Sequence, residues 1–124
     1  MTKYLVIGLG GFAGSIARYA LGVYIGSRFG LRFPLGTFVI NISGSFFIGL
    51  ILALLLRTTA SPYWRYLIPI GFIGAFTTFS TFEYETLLAV QDGQITTGLL
   101  NVVMSVVLGF VAVWAGVAIG RILA

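Results

Sequence analysis

Gly71-Phe72-Ile73-Gly74-Ala75-Phe76-Thr77-Thr78-Phe79-Ser80-Thr81-Phe82-Glu83-Tyr84-Glu85 sets glycines, hydroxyls, phenylalanines and carboxylates inside an otherwise apolar run. Hydrocarbon offers no water to a freed backbone group. Irregular or polar chain at membrane depth therefore survives only where protein buries it or where it lines a wet path. The stretch predicts a broken helix and, with it, the passage of an ion or solute.

The flanking sequence supplies the membrane context. Of 124 residues, 59% are hydrophobic and 8% charged, and the mean hydropathy is +1.08. A soluble domain carries about a quarter charged residues. A spanning helix takes about 20 mostly apolar residues, and four such runs can be marked: 4–26, 35–56, 66–90 with a break near 74–78, and 98–120. They use nearly the whole length, so the expected architecture is a single all-α integral membrane domain over residues 1–124. The first run is too long, and too poor in a small-residue cleavage pattern, to read as a removed signal peptide.

The chain has no Cys and no His, which excludes disulfide scaffolds, thiolate metal sites, imidazole bases and Ser-His hydrolase chemistry. Enzyme function is not expected. The formal charge of +4 comes from basic residues scattered singly along the chain, whereas a phosphate footprint is clustered on one face. No nucleic acid partner is expected; the cations read as headgroup anchors and topology signals in a lipid bilayer.

With four spans, both termini and the loop between spans two and three share one side, which carries Lys3, Arg57, Arg65 and Arg121; Arg28 and Arg32 lie opposite. Lys/Arg imbalance sets orientation, and here it is weak, more so if Arg18 joins the second group. A weak bias permits insertion in both directions and pairing as an antiparallel homodimer, in which two chains imitate the inverted repeats of many transporters. The other reading is one orientation with a modest preference. Tyr63, Trp64 and Tyr66 at the start of span three, and Tyr4 and Tyr24 near the ends of span one, are placed as interfacial anchors. Gly10/Gly14, Gly22/Gly26 and Gly116/Gly120 are each four apart, so each pair offers one helix face to a closely packed backbone.

Several polar groups fall within the spans. Arg18 needs water, a partner or a short path to the interface, since a charge at the bilayer centre costs about 2.5–3.5 kcal/mol on insertion scales. It either snorkels toward the Arg28 side or stands in a vestibule that concentrates anions. Asn41, with Thr37, Ser43 and Ser45 nearby, and Asn101 with Ser105 one turn on, either bind helices together or line a file of small hydrated ions. In span three, Gly71 and Gly74 ahead of Thr77-Thr78 suggest a break whose released carbonyls could coordinate a hard cation such as sodium. Phe79 and Phe82 share a helix face, and their positive ring edges can face an anion. Ser80 and Thr81 add donors, and Glu83 and Glu85 follow near a watery mouth.

Three blocks carry a family resemblance: residues 10–19 (Gly-Gly-Phe-Ala-Gly-Ser-Ile-Ala-Arg-Tyr), residues 34–46 (Pro-Leu-Gly-Thr-Phe-Val-Ile-Asn-Ile-Ser-Gly-Ser-Phe) and residues 74–82 (Gly-Ala-Phe-Thr-Thr-Phe-Ser-Thr-Phe). The chain resembles the Fluc fluoride channels, also called CrcB proteins, with the blocks in the family's order and the likeness extending over all four spans. The resemblance implies a dual-topology homodimer with two fluoride pores and a structural Na+ at the interface where the broken third helices meet. By position it implies that the main-chain carbonyls of Gly74 and Thr77 hold sodium. Asn41, Phe79, Phe82, Ser80, Thr81, Asn101 and Ser105 would line the fluoride path, with Arg18 in the vestibule and Glu85 matching a vestibule carboxylate. Gly109 stands where many relatives keep a hydroxyl, and Glu83 has no firm counterpart.

The implied activity is passive fluoride export that limits toxicity, in the inner or plasma membrane of a prokaryote. A small multidrug exporter is the rival of similar size, but its coupling demands a carboxylate in the first helix, and this first run holds only Arg18. A non-conducting membrane assembly subunit would account for the glycines and leave the broken polar helix unexplained.

Overall fold

The computed structural model describes residues 1–30 and 32–123, and their regular structure is helical throughout. Helix α1 is Thr2–Phe29, α2 is Leu35–Leu55, α3 covers 63–76, α4 is Phe79–Gln91 and α5 is Ile95–Leu123. At about 1.5 Å per residue, α1, α2 and α5 reach roughly 42, 31 and 43 Å, enough to cross a hydrocarbon layer of about 30 Å. Those three are long and apolar enough to span a membrane. Helices α3 and α4 reach only about 20 Å each, so they cross only as a joined, bent pair.

Local chemistry explains the joints. Gly30 closes α1 in the left-handed region at φ 48°, returning its N–H to the Gly26 carbonyl at 3.2 Å, as glycine does past a helix end. Within α3, Tyr66–Ile73 is wound as a π-helix around Pro69. Proline lacks an N–H and its ring crowds the carbonyl four residues back, and a wider turn absorbs both defects without ending the helix.

The break falls later than the glycines suggest. Gly71 and Gly74 both stay helical, Gly74 at φ −60°, ψ −36°, and the chain becomes extended at Thr77 (ψ 155°) and Thr78 (φ −148°, ψ 113°). The expected span break near 74–78 therefore narrows to Thr77-Thr78. Gly71 serves contact instead: a Cβ there would lie 3.0 Å from Gly10 Cα and 2.7 Å from the Ile7 carbonyl oxygen.

Packing joins α1 to α3, α2 to α5 and α4 to α5. Small residues permit it: a Cβ on Gly10 would strike the Leu67 carbonyl, one on Gly14 the Phe72 carbonyl and one on Gly116 the Phe46 carbonyl. The Gly22/Gly26 pair differs, with Gly22 in ordinary contact with Ile40 and nothing within 4 Å of Gly26. Buried apolar side chains include Ile25, Ile40, Ala53, Ile73 and Phe82, while Phe12, Phe79, Phe110 and Trp114 are each at least two-thirds exposed. Such a surface is untenable in water and natural in hydrocarbon or against another apolar surface.

Candidate ion pathway at the break of α3 and α4

Leaving the helix at Thr77-Thr78 releases backbone groups that hydrocarbon cannot satisfy, and Asn41 of α2 meets them. The Thr78 N–H donates to Asn41 Oδ1 at 2.8 Å, and Asn41 Nδ2 donates to the Thr78 carbonyl at 3.0 Å. One proton of that amide is thereby committed to the backbone, and an Asn side chain has a second to offer. Because the Thr78 N–H turns to Asn41, the Gly74 carbonyl loses the donor that a continuous helix would bring four residues on.

Thr78 then starts α4. Its Oγ1 accepts from the Thr81 N–H at 3.3 Å and donates to Thr81 Oγ1 at 3.0 Å, an N-cap that satisfies one of the free donors of the first turn. Thr77 Oγ1 folds back to donate to the Ile73 carbonyl at 3.0 Å. The Thr77 hydroxyl proton is thus occupied inside the helix, while its carbonyl follows the extended backbone away from the axis.

Two cavities meet at Thr78. One, of about 350 Å³, is lined by Asn41, Ser45, Thr77, Phe79, Phe82 and Ser105 together with Thr78. The Phe79 and Phe82 ring centroids are 5.6 Å apart at an interplanar angle of 43°; Phe82 is 5% exposed and Phe79 is 73% exposed. The other cavity, of about 510 Å³, is lined by Ser15, Arg18, Thr37, Thr81 and Glu85, again with Thr78. Arg18 and Glu85 both face that second space, and one Glu85 oxygen, Oε2, is buried with no hydrogen-bond partner.

The remaining predicted residues separate from these two spaces. Ser80 is exposed and lies outside both linings, within 3.4 Å of Thr78 Oγ1. Asn101 is 2% exposed and sits behind the smaller cavity, its Nδ2 donating to Thr86 Oγ1 at 2.8 Å and its Oδ1 accepting from Ser105 Oγ at 3.3 Å. Gly109 packs toward α2, where an added Cβ would lie 3.7 Å from Ser45 Oγ. Glu83 is exposed. Among the described residues no group of three or more Asp, Glu, His or Cys side chains gathers for a metal.

The family model described as CrcB-like protein, Camphor Resistance (CrcB) matches residues 5–117. The chain belongs to this family. CrcB-like relatives are similar over nearly their full length. The fluoride-specific ion channel FluC of Acidobacterium capsulatum is 56% identical over 120 residues, covering 96% of each chain. That of Solibacter usitatus is 54% identical over 120 residues, 96% of this chain and 98% of the relative. A more distant one from Sulfurihydrogenibium is 41% identical over 124 residues, 99% and 100% of the two chains. These relatives are named as ion channels, and none of the three is named as an enzyme or a drug exporter.

In the sequence of this CrcB-like chain Thr78 stands out only as part of the break, with no role in the site, and Thr86 does not stand out at all. The signal for Thr78 was the Thr-Thr doublet itself, a pair of β-branched residues with capping hydroxyls at the foot of a new helix. Thr86 lies four residues after Phe82, where a hydroxyl reaches back to the helix backbone; it donates to the Phe82 carbonyl at 2.8 Å.

Proposed function

We propose that the chain conducts fluoride passively and selectively across the inner membrane of a prokaryote, exporting it from the cytoplasm and so limiting its toxicity. Fluoride is compact and strongly hydrated. A pore must replace its water with several donors and still let it leave, the balance that every conducting filter strikes. The observation that carries the reading is the smaller cavity: Asn41, Ser105, Phe79 and Phe82 line one space, and an amide, a hydroxyl and the positive edge of an aromatic ring are each weak ligands for an anion. Thr81, whose hydroxyl accepts from Thr78 and keeps its own proton to give, extends the donor set to the larger cavity, where Arg18 supplies a positive field that concentrates anions and Glu85 stands at the same mouth.

The functional unit in this reading is an antiparallel homodimer. Support comes from the weak Lys/Arg bias and from the exposed apolar surface that includes Phe79, which a single chain leaves uncovered. A structural sodium ion would be held in this reading by the main-chain carbonyls of Gly74 and Thr77, where it would tie two copies of the break together. The fit is chemical: carbonyl oxygens suit a hard cation, the Gly74 carbonyl has lost its helical donor, and Gly74 is exposed.

The test is fluoride release from vesicles carrying the purified protein, under a fluoride gradient, with chloride as comparator. Rapid fluoride loss with chloride retained is the expected result. Equal loss of both ions would overturn selectivity, and retention of both would overturn the channel.

A further inference from the structure

We propose that Thr86 is a positioning residue: it fixes the orientation of the Asn101 amide and, through it, the direction in which Ser105 holds its hydroxyl proton beside the smaller cavity. The inference rests on the fluoride-channel reading and adds a residue to it.

Thr86 has one hydroxyl proton, and that proton is committed to the Phe82 carbonyl at 2.8 Å. Its oxygen can therefore only accept. The group that reaches it is Asn101 Nδ2, at 2.8 Å; the carbonyl end of the amide has no proton to give. Asn101 is 2% exposed, so neither end of its amide can turn to solvent. With Nδ2 bound to α4, Oδ1 points one turn along α5 and accepts from Ser105 Oγ at 3.3 Å. Four groups on two helices thus share one proton direction, running from Ser105 back to the Phe82 carbonyl.

The lengths assign each link a role. The two bonds at Thr86 are 2.8 Å, near the usual optimum, whereas the Ser105 link of 3.3 Å lies beyond the common O–H···O range and yields first. Ser105 lines the cavity with Asn41, Phe79 and Phe82. At rest its proton is directed at Asn101; an arriving anion draws it out by rotation about Cβ–Oγ, and Asn101 recovers it when the ion moves on. The pore gains a donor that is lent rather than fixed, which keeps its grip on a compact anion weak enough for exit. Removing the Thr86 hydroxyl frees the amide to turn over and present Nδ2 to Ser105 Oγ, leaving the serine proton aimed permanently into the cavity.

Single-channel or macroscopic fluoride currents in planar bilayers, taken over a range of fluoride concentrations, test this. Thr86→Val should lower the half-saturating fluoride concentration about three- to tenfold, the size set by one net hydrogen bond, and lower the maximal current with it. Thr86→Ser should restore both, and Thr86→Val should add nothing in a Ser105→Ala background. Thr86→Ala carries the same expectation should the valine variant fail to assemble. Valine and alanine variants that melt earlier yet keep the wild-type concentration dependence would overturn the inference and leave Thr86 a helix brace. So would an effect that persists undiminished without Ser105. A wild-type protein that passes no fluoride in the same bilayer overturns the channel reading itself, whereas a conducting wild type matched by Thr86→Val overturns this inference alone.

Discussion

Asn41 and Thr78 form a reciprocal pair, the amide of one accepting from the N–H and donating to the C=O of the other at 2.8 and 3.0 Å. A side chain of α2 thus takes the place that a neighbouring turn of helix would have held for the backbone at the break. Asn41 is therefore a structural group, and in the proposed function a pore group as well, with one amide proton committed to the chain and a second still to offer.

Asn41→Ala should abolish fluoride flux and also destabilise the fold, because it leaves the Thr78 N–H and C=O without partners where each buried unsatisfied group costs about 1–3 kcal/mol. Asn41→Asp keeps an acceptor for the Thr78 N–H but sets a carboxylate against the Thr78 carbonyl and in the anion's path. It should be nearly as inactive as the alanine variant and better folded if neutral, worse if charged. Thermal unfolding in detergent beside vesicle efflux checks both.

The two phenylalanines should separate in stability while agreeing in function. Phe82 is 5% exposed and Phe79 is 73% exposed, so Phe82→Ala removes core packing at a cost of about 3–5 kcal/mol, while Phe79→Ala behaves as a surface change within about 0.5 kcal/mol in the single chain. Replacing either by Ile removes the ring edge and retains bulk, and should depress fluoride flux. Unchanged flux in both isoleucine variants would take the rings out of the pathway.

What the sequence displayed and what it concealed follow one distinction. Composition and run length exposed the helical, membrane-directed character, and the polar residues of span three marked the break to within a few positions. The spacing of Gly10/Gly14 and Gly116/Gly120 likewise showed faces open to a neighbouring backbone, whereas the roles of Gly71 and Gly74 were hidden. Gly71 and Gly74 resemble helix breakers on paper, but Gly71 is small so that α1 can approach, and the chain leaves the helix at Thr77-Thr78, where Asn41 and the Thr78 cap supply substitute bonds. A pattern along one helix cannot reveal a partner 37 residues away. The same limit hid Thr86, which acquires meaning only when α5 brings Asn101 beside it, and it set Asn101 and Ser105 together on one helix face without revealing that only Ser105 reaches the cavity.

Glycines that meet backbone should tolerate no side chain, whereas the same residue type facing open space should. Gly116→Ala drives a methyl into the Phe46 carbonyl and to 2.8 Å from the Leu50 nitrogen, overpacking worth about 1–3 kcal/mol or more. Nothing lies within 4 Å of a Cβ on Gly26, so Gly26→Ala should be neutral or gain up to about 1 kcal/mol from helix propensity. Yield of monodisperse protein on size exclusion separates the two, and an equal yield would contradict the close α2–α5 approach.

Sodium dependence should survive loss of the Thr77 hydroxyl. If the cation is held by main-chain carbonyls at the break, Thr77→Val leaves its ligands in place and removes only the bond from Thr77 Oγ1 to the Ile73 carbonyl, 3.0 Å long in the wild type and worth about 0.5–1.5 kcal/mol net. Protein purified and reconstituted without sodium, with a large organic cation in its place, should pass less fluoride than protein kept in sodium, and the ratio should be the same for wild type and Thr77→Val. A variant that conducts equally in both preparations would make the hydroxyl oxygen a ligand. A wild type indifferent to sodium would remove the cation from the break altogether, leaving the Gly74 carbonyl to be satisfied by water or by a donor from the second copy.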